Sequence, residues 1–254
     1  MTGWVDSHCH LQLEIGEARF SPDDADAQVE RARDAGVDRI LSVGTKESSW
    51  RETLAIAERH DGVVAALGIH PHEAADGAVA PLREALGHAR VVAVGETGLD
   101  YFRDYAPRDA QRRIFDEQLQ LAAEVGKPVI IHTRAAEEDT LAVLEGFDGT
   151  VVMHCFSSLT LLEPALERGW YVSFAGNVTY KNAHDLRSAA YAVPAGRLLA
   201  ETDSPYLAPV PRRGRPNEPA NVVHTVAALA QARNAEAEEI AAQIDANAAR
   251  CFGL

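Results

Sequence analysis

Two histidines separated by one residue, His8 and His10, follow the first apolar stretch of the chain. In an extended segment, side chains alternate between two sides, so Asp6, His8 and His10 share one side. Imidazoles two positions apart lie about 7 Å apart along a strand, which lets both reach one metal ion. A single histidine is as well explained by hydrogen bonds in a core, so the metal interpretation depends on further ligands elsewhere.

Four more side chains that bind metals end or closely follow apolar runs: Glu96, His132, His154 and Asp203. A salt bridge, a helix cap or a core hydrogen bond would explain any one of them. A buried carboxylate is costly unless it is paired or bound to a metal. Six ligands suit two ions, and a carboxylate such as Glu96 can bridge ions about 3.5–4 Å apart. Nitrogen and oxygen ligands fit Zn²⁺, Mn²⁺ or Mg²⁺, and the residue types leave that choice open.

The elements that must position these ligands alternate between short apolar runs and helical patterns. The predicted strands are residues 3–6, 39–43, 63–69, 91–96, 128–132, 150–154, 170–174 and 197–201. The predicted helices are residues 24–35, 47–60, 107–125, 136–145, 160–168, 182–190, 220–233 and 235–249. This alternation predicts an α/β fold with a parallel sheet, and eight units are the size of a (β/α)8 TIM-type barrel in a single domain, 1–254. An open doubly wound sheet would need a glycine-rich loop after the first strand, which residues 6–10 do not provide.

The composition and charge disfavour several classes of protein. With 24 basic and 38 acidic residues, the net charge is −14, which disfavours a protein that coats DNA but allows a local basic patch or a cation site. No run of about 20 apolar residues and no signal-peptide pattern is present, so we expect no membrane span and a cytoplasmic location. The three cysteines, Cys9, Cys155 and Cys251, disfavour a disulfide framework. Cys9 and Cys155 are expected to be small buried residues that point away from the ligands.

Motifs in a fixed order run the length of the chain. They are DSHCHL (6–11), GIHPH (68–72), GETGLDY (95–101), PVIIHTR (128–134), HCFS (154–157), VSFAGNVTY (172–180), ETDSPYLAP (201–209), RGRPNEP (213–219) and NAARCFGL (247–254). Together they resemble the TatD-related metal-dependent deoxyribonucleases of the amidohydrolase superfamily. The resemblance implies a distorted TIM-type barrel and hydrolysis of phosphodiesters, often as a 3′→5′ exonuclease on DNA. It also implies the same six metal ligands.

Two positions depart from the family pattern. Gln12 stands where the family often has aspartate, and Ser158 stands where it often has glycine. Neither is an inferred ligand. Both are expected in loops that shape the substrate pocket, so they bear on substrate preference rather than on metal binding.

The remaining assignments concern catalysis and substrate. Asp203 is the predicted general base, with Glu96 as the second catalytic carboxylate. Arg134 is the first choice for a phosphate contact, because a guanidinium matches phosphate oxygens. His72, and alternatively His70, could donate to phosphate. Arg212, Arg213 and Arg215 form a predicted basic loop at the mouth of the site, for which a solvated run of charges is the alternative. Tyr101, Phe102 and Phe156 could stack on a terminal base, and packing in the core or at the rim is the equal alternative.

The predicted function is hydrolysis of phosphodiester bonds in DNA, with two divalent ions that activate water. The predicted substrate is the end of a single strand of DNA, and no obligate protein partner is expected. One alternative is a barrel hydrolase of an amide, a lactone or an aminoacyl-tRNA ester, because metals polarise a carbonyl as readily as a phosphoryl oxygen. Another is a metal-dependent binding protein without turnover, which an intact Asp203 disfavours.

Overall fold

The computed structural model describes residues 3–12, 24–103 and 105–254. Eight strands form one sheet in which each strand pairs in parallel with the next along the chain. They are β1 Trp4–Cys9, β2 Val37–Gly44, β3 Val63–Leu67, β4 Val91–Asp100, β5 Val129–Arg134, β6 Val151–Met153, β7 Tyr171–Phe174 and β8 Leu198–Ala200. The prediction of a (β/α)8 barrel is confirmed.

The helices cover the outside of this sheet. They are α1 Asp24–Asp34, α2 Glu47–Arg59, α3 Val79–Ala85, α4 Arg108–Val125, α5 Glu137–Leu144, α6 Leu162–Glu167, α7 His184–Ala192, α8 Val222–Arg233 and α9 Ala237–Phe252. Helix α3 was not predicted, because seven residues that include Pro81 are too few for a helical repeat to stand out. Across the described residues, no helix combines the length and apolar character needed to cross a membrane.

The seam between β8 and β1 closes through the segment that follows β8. Within the described residues, strand ladders run only from β1 to β8. Across the seam, the amide of Asp203 donates to the carbonyl of His8 at 3.0 Å, and the amide of His10 donates to the carbonyl of Ser204 at 2.8 Å. The Asp6 carboxylate accepts the amide of Thr202 at 2.8 Å. These bonds place Asp203 beside the two histidines of β1.

Strand lengths differ from the predictions where the site is built. β1 and β4 continue to Cys9 and Asp100, whereas β8 is shorter than the predicted strand 197–201. Gly98 allows β4 to pass close to β5, since a Cβ at this position would lie 2.0 Å from the carbonyl oxygen of His132. The extension of β4 brings Asp100 to the same end of the barrel as Glu96.

Helix α4 supports this end of the barrel through two buried glutamines seven residues apart, on one face of the helix. Gln111 accepts the amide of Asp100 at 2.8 Å and donates to the Asp100 carbonyl at 3.2 Å. Gln118 accepts the amide of Ile69 at 2.8 Å and donates to the Ile69 carbonyl at 3.0 Å and to the Thr97 hydroxyl at 2.6 Å. These hydrogen bonds therefore fix the backbone of Asp100, and that of Ile69 next to His70, against helix α4.

We expect Gln118→Leu to lower the free energy of unfolding by about 3 kcal/mol, because buried groups of Ile69 and Thr97 lose their partners. Gln120→Leu makes the same change at an exposed position of the same helix and should cost less than about 0.5 kcal/mol. Urea unfolding followed by circular dichroism measures both variants. Equal losses would contradict the supporting role of Gln118.

Candidate metal centre

The six predicted metal ligands meet at the carboxyl end of the barrel, around Glu96. The Glu96 side chain is 4% exposed, and its two oxygens face different groups of imidazoles. One group is His8 and His10 from β1 and the segment after it, with Asp203 from beyond β8. The other includes His132 from β5 and His154 from the end of β6.

The first cluster surrounds the Oε2 atom of Glu96. His8 Nε2 lies 3.3 Å from His10 Nε2, 3.6 Å from Glu96 Oε2 and 3.9 Å from Asp203 Oδ1. His10 Nε2 lies 3.8 Å from Glu96 Oε2 and 3.5 Å from Asp203 Oδ1. Ligand atoms about 2.1 Å from one ion in a tetrahedral arrangement are about 3.4 Å apart. The spacing of these four atoms fits a single cation.

The second cluster surrounds the Oε1 atom of Glu96. Its neighbours are His132 Nδ1 at 2.7 Å, His154 Nε2 at 3.0 Å and His70 Nε2 at 3.4 Å. Because each oxygen of Glu96 faces its own cluster, this carboxylate has the position of a bridging ligand.

Hydrogen bonds behind the rings select the tautomers of two histidines. His10 Nδ1 lies 3.1 Å from the Val43 carbonyl, and His154 Nδ1 lies 2.9 Å from Glu201 Oε1. Each Nδ1 faces an oxygen that accepts its proton, so the Nε2 of a neutral ring is left with a lone pair directed into the cluster. In the first cluster this lone pair converges with carboxylate oxygens, an arrangement that a cation would stabilise. The residues present therefore fit a metal site.

Asp100 is a buried carboxylate at the edge of the second cluster. Its Oδ2 lies 2.9 Å from His72 Nε2 and 3.3 Å from His132 Nε2. Its Oδ1 accepts the amides of Phe102 and Arg103, each at 2.9 Å. Burial alone would raise the pKa of Asp100, but hydrogen bonds from His132, the Arg103 amide and His72 outweigh it and lower that pKa. Asp100 is thus an ionised group that orients His132 and His72.

His70 differs from the other imidazoles of the centre. Its Nδ1 accepts the amide of His72 at 3.1 Å, so a neutral ring has its proton on Nε2, which faces Glu96. Burial lowers the pKa of His70 to about 4, against the opposing effect of the Glu96 charge. A neutral ring with a proton on Nε2 is a hydrogen-bond donor in the site.

The electrostatics of the centre favour cations. Burial alone would raise the pKa of Glu96, but the surrounding imidazoles of His154, His70 and His132 hold it well below its usual range. The pKa of Asp203 is also lowered, because its hydrogen bond to His10 and the charges of His154 and His8 outweigh burial. Both carboxylates are therefore anionic at neutral pH.

A cavity of about 720 Å³ opens over the centre. Its mouth has basic side chains, Lys46, Arg103 and Arg134, and two aromatic rings, Tyr105 and Tyr206. The two tyrosines are 62% and 49% exposed, which leaves their faces available to a ligand.

The structure places two of the predicted substrate contacts at the cavity wall. Arg134 lines the cavity, and its guanidinium carbon lies 3.9 Å from the centre of the exposed Phe102 ring. His72 also lines the cavity, with its Nε2 against Asp100.

Arg212, Arg213 and Arg215 are exposed and do not line the cavity, so their predicted contact with longer substrates stays a prediction. Arg213 instead lies over the ring of Tyr180, 4.0 Å from its centre. Closeness to Asp203 in the sequence does not decide the direction of the loop that follows it.

Several smaller predictions need correction. Cys155 is half-buried and lines the cavity, whereas Cys9 is buried as expected. Phe156 is buried against Phe174, 5.8 Å between ring centres, and is not available to a base. Tyr101 is held by hydrogen bonds to Asp139 and Arg112, outside the cavity wall.

The two departures from the family pattern also lie outside the cavity wall. Gln12 is buried and donates to the Val43 carbonyl at 2.7 Å, so it supports the end of β2. Ser158 shares a hydrogen bond of 2.9 Å with Thr160. The expectation that both shape the pocket is not supported by these contacts.

Sequence reasoning did not assign two carboxylates that the structure places against the histidines, Asp100 and Glu201. Glu201 is two residues before Asp203, the same spacing as His8 and His10, and this repeat was an available signal. Asp100 gave a weaker signal, because a strand was expected to end at Glu96.

Comparison with known proteins identifies the family of the chain. Residues 5–253 match the family model of the TatD related DNases. A Mycobacterium tuberculosis protein named uncharacterized metal-dependent hydrolase TatD is 41% identical over 261 residues, 98% of each chain. A Cronobacter sakazakii protein named 3′-5′ ssDNA/RNA exonuclease TatD is 38% identical over 254 residues, 95% of this chain and 96% of its own.

Among solved structures, the TatD homologue YJJV of Escherichia coli K12 superposes with a TM-score of 0.90 at 34% identity, covering 99% of this chain and 98% of that one. The chain belongs to the TatD-related DNase family. It is a metal-dependent hydrolase.

Glu201→Gln should weaken the affinity for Zn²⁺ or Mn²⁺ by about 10–100-fold, because a neutral amide supports His154 as a ligand less well than a carboxylate does. Glu58→Gln is the matched control, since Glu58 lies 2.9 Å from His88 Nε2 outside the site. Competition with a chelating indicator measures both affinities. Equal affinities in wild type and Glu201→Gln would contradict the role of Glu201.

Proposed function

We propose that the enzyme removes nucleotides from the 3′ ends of single-stranded DNA, with two divalent ions held by His8, His10, Glu96, His132, His154 and Asp203. The observation that supports this best is Glu96, whose two oxygens face separate clusters of ligand atoms. The names of two relatives, both 3′-5′ ssDNA/RNA exonuclease TatD, support the substrate class. Cations in these clusters would supply the Lewis acidity that activates water and stabilises phosphoryl charge.

Asp203 is the proposed general base. Its side chain is 14% exposed against 4% for Glu96, so it is the more accessible of the two carboxylates. Its lowered pKa keeps it ionised and able to accept a proton from the attacking water. Its left-handed backbone, with φ of 53°, belongs to the turn that directs the chain out of β8 at the seam.

Arg134 and His70 are the proposed donors to the scissile phosphate. Arg134 lines the cavity and its guanidinium packs on the Phe102 ring, which restricts its motion. The Nε2 proton of His70 points into the second cluster, where a phosphate oxygen could accept it. Donors fixed in place stabilise charge that develops during hydrolysis.

End-labelled single-stranded DNA incubated with Mg²⁺ or Mn²⁺ should be shortened one nucleotide at a time from its 3′ end, and a chelator should stop the reaction. DNA labelled at the 5′ end reports the direction, and an RNA of the same sequence and an aminoacyl ester are tested in parallel. Hydrolysis of the ester without release of nucleotides would contradict the proposal.

Asp203→Asn separates the two roles of Asp203. The amide keeps the volume but does not accept the proton, so kcat should fall about 100-fold or more. The affinity for metal, measured with the chelating indicator, should fall less than kcat does. Equal losses would assign Asp203 as a ligand only.

Arg134→Ala should lower kcat/KM by about 100-fold, because the variant has no fixed donor to the phosphate at this position. Arg168→Ala is the matched control, since this arginine also packs on an aromatic ring, that of Trp170, but lies just before β7 at the amino end of the barrel. Initial rates on a short single strand give both values. Unchanged turnover in Arg134→Ala would remove the phosphate contact.

A further inference from the structure

A second cavity of about 750 Å³ lies on the outer surface, between α7, the end of α8 and the loop that follows β7. Its wall is formed by the loop residues Tyr180 and Lys181, by His184 and Tyr191 of α7, and by the end of α8. None of the described residues that line it is acidic. On a chain with a net charge of −14, such a surface is a local exception that favours an anionic ligand.

The shape of this groove is fixed before any ligand binds. Arg187 donates to the carbonyls of Val178 and Tyr180 at 2.9 and 2.8 Å and to that of Lys181 at 3.3 Å. It also lies 3.2 Å from His184 Nδ1. Most N–H groups of Arg187 thus bond to the loop of residues 178–181, and the positive charge of its guanidinium lies at the groove. Preorganised surfaces bind with a smaller entropic cost.

The groove presents both partners that a single strand needs. Lys181 is exposed, and Arg213 stacks on the Tyr180 ring and donates to its hydroxyl. The Tyr191 ring is 64% exposed. Basic side chains contact the phosphates of single strands, and exposed aromatic rings stack on their bases.

Hydrogen bonds connect the groove to the active-site cavity. The Tyr180 hydroxyl donates to the Ala208 carbonyl at 3.3 Å, and the Thr179 hydroxyl accepts the amide of Val210 at 2.8 Å. Ala208 directly follows Tyr206 and Leu207, which line the active-site cavity. A strand that leaves the active-site cavity at this loop would meet Lys181 first and Tyr191 farther along α7.

We propose that this groove binds the part of a single-stranded polynucleotide that lies 5′ of the nucleotide being removed. Lys181 and Arg213 contact its phosphates, and Tyr191 stacks on one of its bases. The proposal rests on the proposed exonuclease function, and it gives Arg213 a place outside the catalytic cavity.

The test uses the double variant Lys181→Ala/Tyr191→Ala with thymidine oligonucleotides of two and twenty residues. For the longer substrate, KM should rise about 10-fold or more, because the variant can neither stack a base on Tyr191 nor neutralise a phosphate with Lys181. For the dinucleotide, kcat and KM should not change. Arg51→Ala, an exposed charge on α2, and Tyr191→Phe, which keeps the ring, should both behave as wild type.

The dependence on salt gives a second readout. With the divalent metal held constant, the slope of log kcat/KM for the long substrate against log salt should become shallower by about 0.7 for each phosphate that the variant no longer neutralises. Unchanged KM and unchanged slope in an active double variant would overturn the groove and leave the exonuclease proposal standing.

Failure of the exonuclease proposal has a different signature, namely no release of nucleotides by the wild-type enzyme. In that case, binding of a fluorescent twenty-residue oligonucleotide in the presence of chelator decides about the groove. An affinity, measured by fluorescence anisotropy, that falls about 10-fold or more in the double variant would support it. Equal anisotropy curves, or no binding by wild type, would overturn it.

Discussion

The burial of Glu96 is the constraint on which the rest of the site depends. A carboxylate that is 4% exposed loses most of its hydration, and this is tolerated only if ionic or hydrogen-bonding partners surround it. Imidazole nitrogens lie within 3.8 Å of both of its oxygens, those of His8 and His10 on one side and those of His70, His132 and His154 on the other. These imidazoles come from different strands and the loops that follow them, so the position of Glu96 is stabilised only when the barrel is closed. The clustering of the imidazoles around Glu96 and the closure of the barrel are therefore consequences of the same convergence.

The ligand residues alone do not account for the geometry of the centre. Each imidazole ring must also be oriented so that the correct nitrogen faces the cluster. Glu201 does this for His154, the Val43 carbonyl for His10, and Asp100 for His132. Asp100 in turn is held by Gln111 of α4 through its own backbone. Helix α4 thus supports His132 indirectly, because Gln111 holds Asp100 and Asp100 orients His132. This explains why polar residues occur on the buried face of the helix.

The sequence predicted the barrel and the convergence of the six proposed ligands for one physical reason. Each ligand ends an apolar run, and the carboxyl ends of parallel strands meet at one face. The roles of Asp100 and Glu201 were harder to predict, because that of Glu201 depends on His154, 47 residues earlier in the chain. The contact between Arg213 and Tyr180 was not predicted, because the two residues are 33 positions apart in the sequence.

Charge then determines the order in which ligands can enter. Glu96, Asp100 and Asp203 all have lowered pKa values and are anionic, so a phosphate that approaches them without cations meets like charge. Cations at the two clusters would reverse this field locally, while the surface as a whole stays negative. In the proposed reaction, cations would therefore bind before a phosphate group enters the cavity.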